Sequence, residues 1–383
     1  MKVALIHDWL TGMRGGEKCL DVLCRRFPDA ELFTLLHSPG KTSPAIERMR
    51  ITTSFLQHLP GISRHYRYWL PLMPRAIEAL RIPADVDLVV SFSHAVAKSI
   101  QPPPGVPHVC YCFTPMRYAW QLRRDYFSPR PAGRLRGVSL SAARETLLDR
   151  IRRWDRATSD RVTHYIAISE TIAGRIAECY GRPSTVIYPP VDTDFYTPAP
   201  VARDDFYLCV SALAPYKKID LAVETCRRLG RRLVVIGAGP EHRRLARTAG
   251  PGVEMLGWRS DDDIRDYMRR CRALLFPGQE DFGIVPVEAQ ACGAPVIAYA
   301  AGGATETVLA ASERNLGTGV FFEEQTPEAL SEAILWQERH ARQFSPALAR
   351  QQALRFNAQR YERELIGYLE QVIGDGRSLR RAA

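Results

Sequence analysis

Two glutamates, Glu280 and Glu288, flank the run "DFGIVPV". A strand-like segment, "RALLFP" (Arg272 to Pro277), precedes the pair, and another, "APVIAYA" (Ala294 to Ala300), follows it. Strand ends in parallel α/β sheets open onto the ligand crevice, so this loop is placed where a ligand binds. Pro286 suits the first turn of a helix, where a missing N–H costs nothing, and the helix is expected to start near Ile284. Its unpaired N–H groups and positive dipole end make an anion site, phosphate being the usual anion. Gly283 lets a ligand approach the backbone closely. Glu288, read as part of the first turn, has an ordinary explanation as a complement to the dipole. Glu280 precedes the helix and has no such explanation. A carboxylate at a strand mouth binds hydroxyls or moves protons. Two carboxylates bracketing a phosphate site point to a phosphorylated ligand rich in hydroxyls, such as a nucleotide sugar.

The elements that must carry this loop repeat one pattern. "KVALIH" is a short buried strand; a loop bearing Gly12, Gly15 and Gly16 follows, then the helical "EKCLDVLCRRF". Strand, glycine loop and helix open a doubly wound α/β domain. "DVDLVVSFS", "HVCYCF" and "THYIAIS" read as further strands, and "STVIYPPVDTDFYTPAP" as a strand running into a proline-rich connector. The pattern then restarts with "DFYLCVSAL", "KIDLAVETCRRL", "RRLVVIGAGP", "GVEMLGW" and "SDDDIRDYMRRC". Two βα-rich domains, 1–196 and 197–355, and a helical tail, 356–383, are therefore expected.

Composition narrows the class. The 383 residues are 46% apolar, ordinary for a globular protein, with a formal charge of +10 that favours anionic partners. Nine scattered cysteines, an odd number without framework spacing, are read as reduced thiols in a cytoplasm. Cys110 and Cys112 form a lone C-x-C, read as alternating core and surface positions rather than a metal site. The N-terminus lacks the pattern of a signal peptide, and no apolar run is long enough to span a membrane. The basic charge comes with no nucleic-acid-binding motif.

The motifs carry a resemblance. "E-x7-E" with "GAPVIA" and "GG-x-x-E" resembles the signature of the retaining glycosyltransferases of family 4. "GMRGGEK", "SALAPYKKIDLAVE", "VVIGAGPE" and "VEMLGWRSDDDI" resemble further segments of that family in the same order. "SFSHAVAKS" and "CYCFTPMRYAW" are similar to bacterial mannosyltransferases of polysaccharide assembly. The resemblance covers nearly the whole chain. It implies a GT-B fold, α/β, with two Rossmann-like domains facing a central cleft. The N-terminal domain would bind the acceptor and the C-terminal one the donor. It also implies roles. Glu280 would contact the hydroxyls of the donor sugar, and Lys217 would stabilise the departing diphosphate, a task suited to a mobile ammonium. Donor contacts would further come from Gly15, Gly16, Lys218, Gly237, Gly257, Trp258, Phe282, Gly283, Ile284 and Val285, with Glu288 on the ribose. His94, Phe113 and Arg117 would touch acceptor or sugar, and His7 is a further polar candidate. The implied donor is GDP-mannose, the implied acceptor a lipid-linked saccharide, and no cofactor or essential metal is expected.

Two positions depart from the family pattern. Ala212 stands where members often carry an arginine that holds the diphosphate, and Phe113 where many carry a histidine. Lys218, Arg14 or Arg117 are the candidates to replace the missing charge. "SDDD" (Ser260 to Asp263) reads as a helix N-cap with acids in the first turn rather than a metal site. Ser54 to Ile82 and Arg123 to Arg156 are basic, with bulky apolar residues, and suit an anionic lipid surface. The expected location is the inner face of the cytoplasmic membrane, held peripherally. A nucleotide-sugar epimerase and a non-catalytic nucleotide-sugar-binding protein remain as alternatives. A dinucleotide-dependent dehydrogenase is weaker, since the first glycine loop lacks G-x-G-x-x-G spacing.

Overall fold

A computed structural model describes residues 1–62, 66–120 and 137–382 of the chain. Residues 63–65 and 123–136, which belong to the two basic stretches, lie outside the described residues. The chain divides into two compact units. One comprises Met1–Pro189 with Glu362–Ala383, the other Pro190–Tyr361.

The first unit is built on seven parallel strands: β1 (Val3–His7), β2 (Glu31–Thr34), β3 (Arg50–Thr53), β4 (Leu88–Ser93), β5 (His108–Cys112), β6 (His164–Ala167) and β7 (Ser184–Val186). Their order is β3-β2-β1-β4-β5-β6-β7. The chain moves outward from β1 through β2 to β3, then returns to lay β4 on the other side of β1. The switch of direction therefore lies between β1 and β4, where open α/β sheets hold their ligands. β1, β4 and β5 are buried along their full lengths because helices cover both faces. This corrects the expectation for Cys110 and Cys112: both are core residues, and no surface position alternates with them.

The second unit repeats the logic with β8 (Tyr207–Val210), β9 (Leu233–Ile236), β10 (Val253–Gly257), β11 (Leu274–Phe276), β12 (Val296–Tyr299) and β13 (Gly319–Phe322). All are parallel, in the order β10-β9-β8-β11-β12-β13, so the switch lies between β8 and β11. Each sheet rests on an apolar core of its own.

The division between units differs from the expected 196 and 356 for a packing reason. Arg350 donates to the carbonyls of Thr193 (2.8 Å) and Tyr196 (2.7 Å), and Arg269 holds the Thr197 carbonyl at 2.6 Å. Arg265 lies 4.2 Å over the Phe195 ring. These bonds tie the connector into the second unit. Phe356 packs on Phe282 and so stays there too. The long C-terminal helix, Ala358–Ala382, joins the first unit from Glu362 onward, where Tyr368 meets His164.

The apolar residues of Ser54 to Ile82 are mostly core: Leu56, Ile62, Tyr66, Leu70, Met73 and Ile77 are buried in the first unit. Their bulk is explained by packing, and among the described residues Phe55 is the large apolar side chain of this stretch that stays exposed.

Candidate active site

In the second unit, the site begins where the chain leaves β8. A single helical turn, Pro215–Lys217, follows the strand, and Lys218 then takes a left-handed conformation (φ 53°). That conformation is uncommon for a residue with a side chain, and it redirects the chain into α1 (Ile219–Leu229). Lys217 leaves this turn partly buried. Its ammonium forms an ion pair with Glu280 and lies 5.2 Å from the centre of the Tyr216 ring. Glu280 follows β11, so the pair joins the carboxyl ends of the two strands that flank the switch point.

Glycines make this approach possible. A side chain on Gly278 would come within 2.9 Å of the Lys217 Cα. One on Gly302 would meet the Glu280 carbonyl at 2.2 Å, and one on Gly303 the Phe282 backbone at 2.3 Å. The Gly302–Gly303 strap lies against the glutamate loop, with Gly303 N–H donating to the Glu280 carbonyl at 2.9 Å.

Gly283 (φ 85°) turns the chain into α2 (Ile284–Ala291) at the expected residue, with no side chain capping the helix. Its N–H groups at this end are the backbone donors of an anion site. Glu288 is the fifth residue of this helix and is buried, one turn later than the dipole explanation requires. Burial pushes the Tyr196 phenol above its ordinary pKa, and the Glu288 charge adds to the rise. Phe282 is buried against Phe356, so its backbone, not its ring, is what it offers a ligand.

Gly237 and Gly257 meet at the same sheet end, the Gly237 N–H donating to the Gly257 carbonyl at 2.7 Å. Gly237 (φ 137°) admits no side chain, since a Cβ would fall 1.8 Å from the Ser211 carbonyl. Trp258 follows Gly257 and is 76% exposed, a flat aromatic surface open to solvent beside the sheet end. Ala212 and Lys218 are exposed in the turn after β8. Ser260 caps the helix Asp261–Arg270, its hydroxyl accepting from Asp263 N–H at 3.2 Å, while the Asp263 carboxylate accepts from Ser260 N–H at 3.3 Å. Ser260 is thus the N-cap that the sequence proposes, and Asp263 completes a capping box with it.

The first unit gathers its candidates at the carboxyl ends of β1, β4 and β5. His7 ends β1, and His94 and Phe113 follow β4 and β5. Their ring centres stand 6.2–6.4 Å apart, pair by pair. Trp9 packs edge-on against His94 at 4.5 Å. Gly15 and Gly16 open the helix Gly15–Arg26, and Arg14 N–H donates to Glu17 at 3.1 Å. Arg117 begins a short helix, Arg117–Trp120, after β5 and is partly buried.

Several residues here were missed at the sequence level. Asp8 is fully buried and accepts four backbone N–H bonds, from His94, Ala95, Val96 and Ala97, at 2.6–2.9 Å. It also holds His94 Nδ1 at 3.1 Å. Burial pushes the Asp8 carboxyl up despite those bonds. Glu17 is buried as well, and desolvation pushes its pKa up to about 7. Lys98 and Asp155 form a buried ion pair at 3.0 Å. Trp120 and Tyr180 also donate to Asp155, at 2.8 and 2.9 Å. The only advance signal for any of these is the strand-end position of Asp8 and the place of Glu17 after two glycines.

Comparison with known proteins agrees with this geometry. A model described as "Glycosyl transferases group 1" matches residues 193–346, and one described as "Glycosyltransferase Family 4" matches residues 13–195. An uncharacterized glycosyltransferase of Methanocaldococcus jannaschii is 30% identical over 183 residues, 46% of this chain and 49% of that protein. A GDP-mannose-dependent alpha-(1-6)-phosphatidylinositol monomannoside mannosyltransferase of Mycobacterium tuberculosis is 29% identical over 198 residues, 44% of this chain and 50% of that one. The chain thus spans about half the length of the curated relatives it matches. Among solved structures, a sucrose-phosphate synthase of Thermosynechococcus elongatus superposes with TM-score 0.72 at 15% identity, over 98% of this chain and 100% of that one. Anabaena HepE in complex with UDP gives 0.70 at 18%, over 97% and 100%. The two doubly wound units, the superpositions and the family matches from residue 13 to residue 346 together establish that the chain has the GT-B fold and belongs to the group 1 glycosyltransferases of family 4.

Proposed function

We propose that the protein is a retaining hexosyltransferase that moves mannose from GDP-mannose onto a lipid-linked saccharide. The observation that carries this reading is the Lys217–Glu280 pair at the switch point of the second unit, beside the uncapped start of α2. An ammonium has three N–H donors and commits one to Glu280, leaving two for phosphate oxygens. As the glycosidic bond breaks, charge builds on the diphosphate, and a fixed cation with a helix N-terminus stabilises that charge more than the ground state. Glu280 accepts hydroxyl hydrogens of the hexose while orienting the ammonium. Glu288 takes the ribose hydroxyls, and Trp258 offers its face to the base. Phe113 cannot exchange a proton, so the proton of the acceptor hydroxyl passes to the leaving phosphate on the same face of the sugar.

The mannose assignment is supported by the mannosyltransferase relatives. The lipid acceptor is supported by an exposed basic face, Arg150, Arg152, Arg153 and Arg156 with Leu147, on the helix Gly137–Ala157. Such a face attracts anionic headgroups by about 1 kcal/mol per cation.

The test is a thermal-shift panel of GDP, UDP, ADP and their sugar conjugates, followed by transfer assays with Glu280→Gln. Selective stabilisation by GDP and GDP-mannose is expected. Glu280→Gln should bind nucleotide and lose at least 100-fold in turnover, since the ammonium loses its anchor and the hexose its acceptor. Unchanged turnover would remove Glu280 from the site. Stabilisation by a uridine or adenosine ligand would overturn the donor, and conversion of the sugar without acceptor would make the protein an epimerase.

A further inference from the structure

We infer that the second unit binds a small monocarboxylate in a cavity at the amino ends of its strands, with Arg203 and Gln337 as the donors that hold it. The site lies at the opposite end of the sheet from the Lys217–Glu280 pair, and it stands whatever the donor sugar is.

The cavity measures about 230 Å³. Arg272 and Pro295 line it, and both stand just before strands, Arg272 before β11 and Pro295 before β12. Glu280 follows β11, so the length of the sheet separates the two places. Ala341, Phe344 and Pro346 give the cavity an apolar wall.

Arg203 enters the cavity from the segment that precedes β8. Its Nη1 donates to the Cys271 carbonyl at 2.8 Å and its Nη2 to the Gly293 carbonyl. Neither partner is charged, and no ion pair joins Arg203 to a carboxylate among the described residues. A guanidinium has five N–H donors, more than these two bonds use. Arg203 as a whole is open to solvent, yet burial around its head lowers its pKa, the mark of a cation partly withdrawn from water. The other charges on the cavity wall are committed. Arg231 holds Glu338 with bonds of 2.8 and 2.9 Å, and Arg272 adds a third at 3.0 Å. Arg272 also pairs with Asp205 at 2.9 Å.

Gln337 supplies the second observation. It lines the cavity and is only 7% exposed, yet its Nε2 bonds to no group among the described residues. Its Oε1 stands 3.4 Å from the Tyr207 hydroxyl, but that hydroxyl has one hydrogen and lies nearer Glu338, at 3.0 Å. A buried amide left in this way is costly unless a ligand or water takes its hydrogens.

Polarity decides the occupant. An unpaired guanidinium and an unpaired amide N–H, with the one carboxylate on the wall already taken, call for an anion. A carboxylate matches the guanidinium fork with two parallel bonds. The apolar wall takes a short hydrocarbon body, and the volume is below the roughly 300 Å³ at which sites for drug-sized ligands begin. Phosphate carries a second charge toward Glu338 and has no apolar body to set against Phe344.

The experiment uses the full-length protein and trifluorobutyrate, followed by fluorine NMR. The probe line should broaden saturably, and butyrate should displace it. Butyramide, the neutral counterpart, should not, and inorganic phosphate at equal ionic strength should need at least a tenfold higher concentration. GDP and UDP should leave the probe in place. Arg203→Gln should weaken binding about tenfold or more, as loss of a charge-assisted bond does, and Gln337→Met about fivefold. Should Arg203→Gln fail to fold, Gln337→Met and the ligand series on the wild type still decide. The inference is overturned if the probe does not bind, if butyramide or phosphate competes as well as butyrate, if either nucleotide displaces the probe, or if Gln337→Met binds like the wild type.

Discussion

Replacing Glu17 by glutamine should remove a pH dependence from the stability of the first unit. Glu17 is buried beside the Gly15–Gly16 turn, its pKa raised from 4.5 to about 7 by desolvation, with the nearby Asp8 charge adding to the rise. A carboxyl raised in the folded state holds its proton more tightly there than in the unfolded chain. The stability this confers is complete below pH 4.5, falls as pH rises through 7, and has gone by about pH 8. A rise of about 2.5 units at 1.36 kcal/mol each amounts to about 3 kcal/mol. Glutamine has no such titration and still offers an oxygen to Arg14 N–H. Urea unfolding at a series of pH values, followed by tryptophan fluorescence, reads this directly, because Trp9, Trp69, Trp120 and Trp154 all belong to the first unit. The stability of Glu17→Gln relative to wild type should rise by about 3 kcal/mol between pH 4.5 and 8. A difference that stays constant across that range would refute the argument, and with it the view that Glu17 is desolvated.

Three further outcomes are expected. Lys98→Met or Asp155→Asn should each destabilise the first unit by about 3–5 kcal/mol in urea titrations, because each strands a buried partner, while the paired apolar replacement should recover most of the loss. Gly302→Ala, whose Cβ would sit 2.2 Å from the Glu280 carbonyl, should displace the glutamate loop and lower turnover more than it lowers nucleotide affinity. Ala212→Arg, at an exposed position after β8, should tighten nucleoside diphosphate binding by about tenfold, measured by calorimetry, as one added charge-assisted hydrogen bond does.

The second unit's site is the more legible of the two because its signals are local. Gly283, the start of α2 at Ile284 and the Ser260 cap are each decided within a few residues, and all stand where the pattern places them. Glu288 shows the limit of such reading: with the helix starting at Ile284 as expected, Glu288 is its fifth residue, past the first turn, and is a buried group rather than a dipole complement. The Lys217–Glu280 pair spans 63 positions in the chain and becomes visible only when parallel pairing sets β8 beside β11. The first unit depends on still longer connections. Asp8 reaches across to residues 94–97, and Lys98 to Asp155. No periodicity announces a bond of that reach. The bulky residues of Ser54 to Ile82 misled for the opposite reason, since composition alone does not distinguish a core helix from a lipid-facing one.

The two sheet ends solve different chemical problems with one topology. At the second, a cation and carboxylates stand beside a helix start, which suits charge that grows as a bond breaks. At the first, the buried carboxylates are already engaged by backbone donors, Asp8 by four N–H groups and Glu17 by that of Arg14, and burial raises the pKa of both. Beside them His7, Trp9, His94 and Phe113 meet ring to ring. A phenyl ring at position 113 adds apolar surface to that cluster and no titratable group, so among the described residues this end carries no counterpart of the Lys217 ammonium, and the task of holding growing negative charge falls to the second.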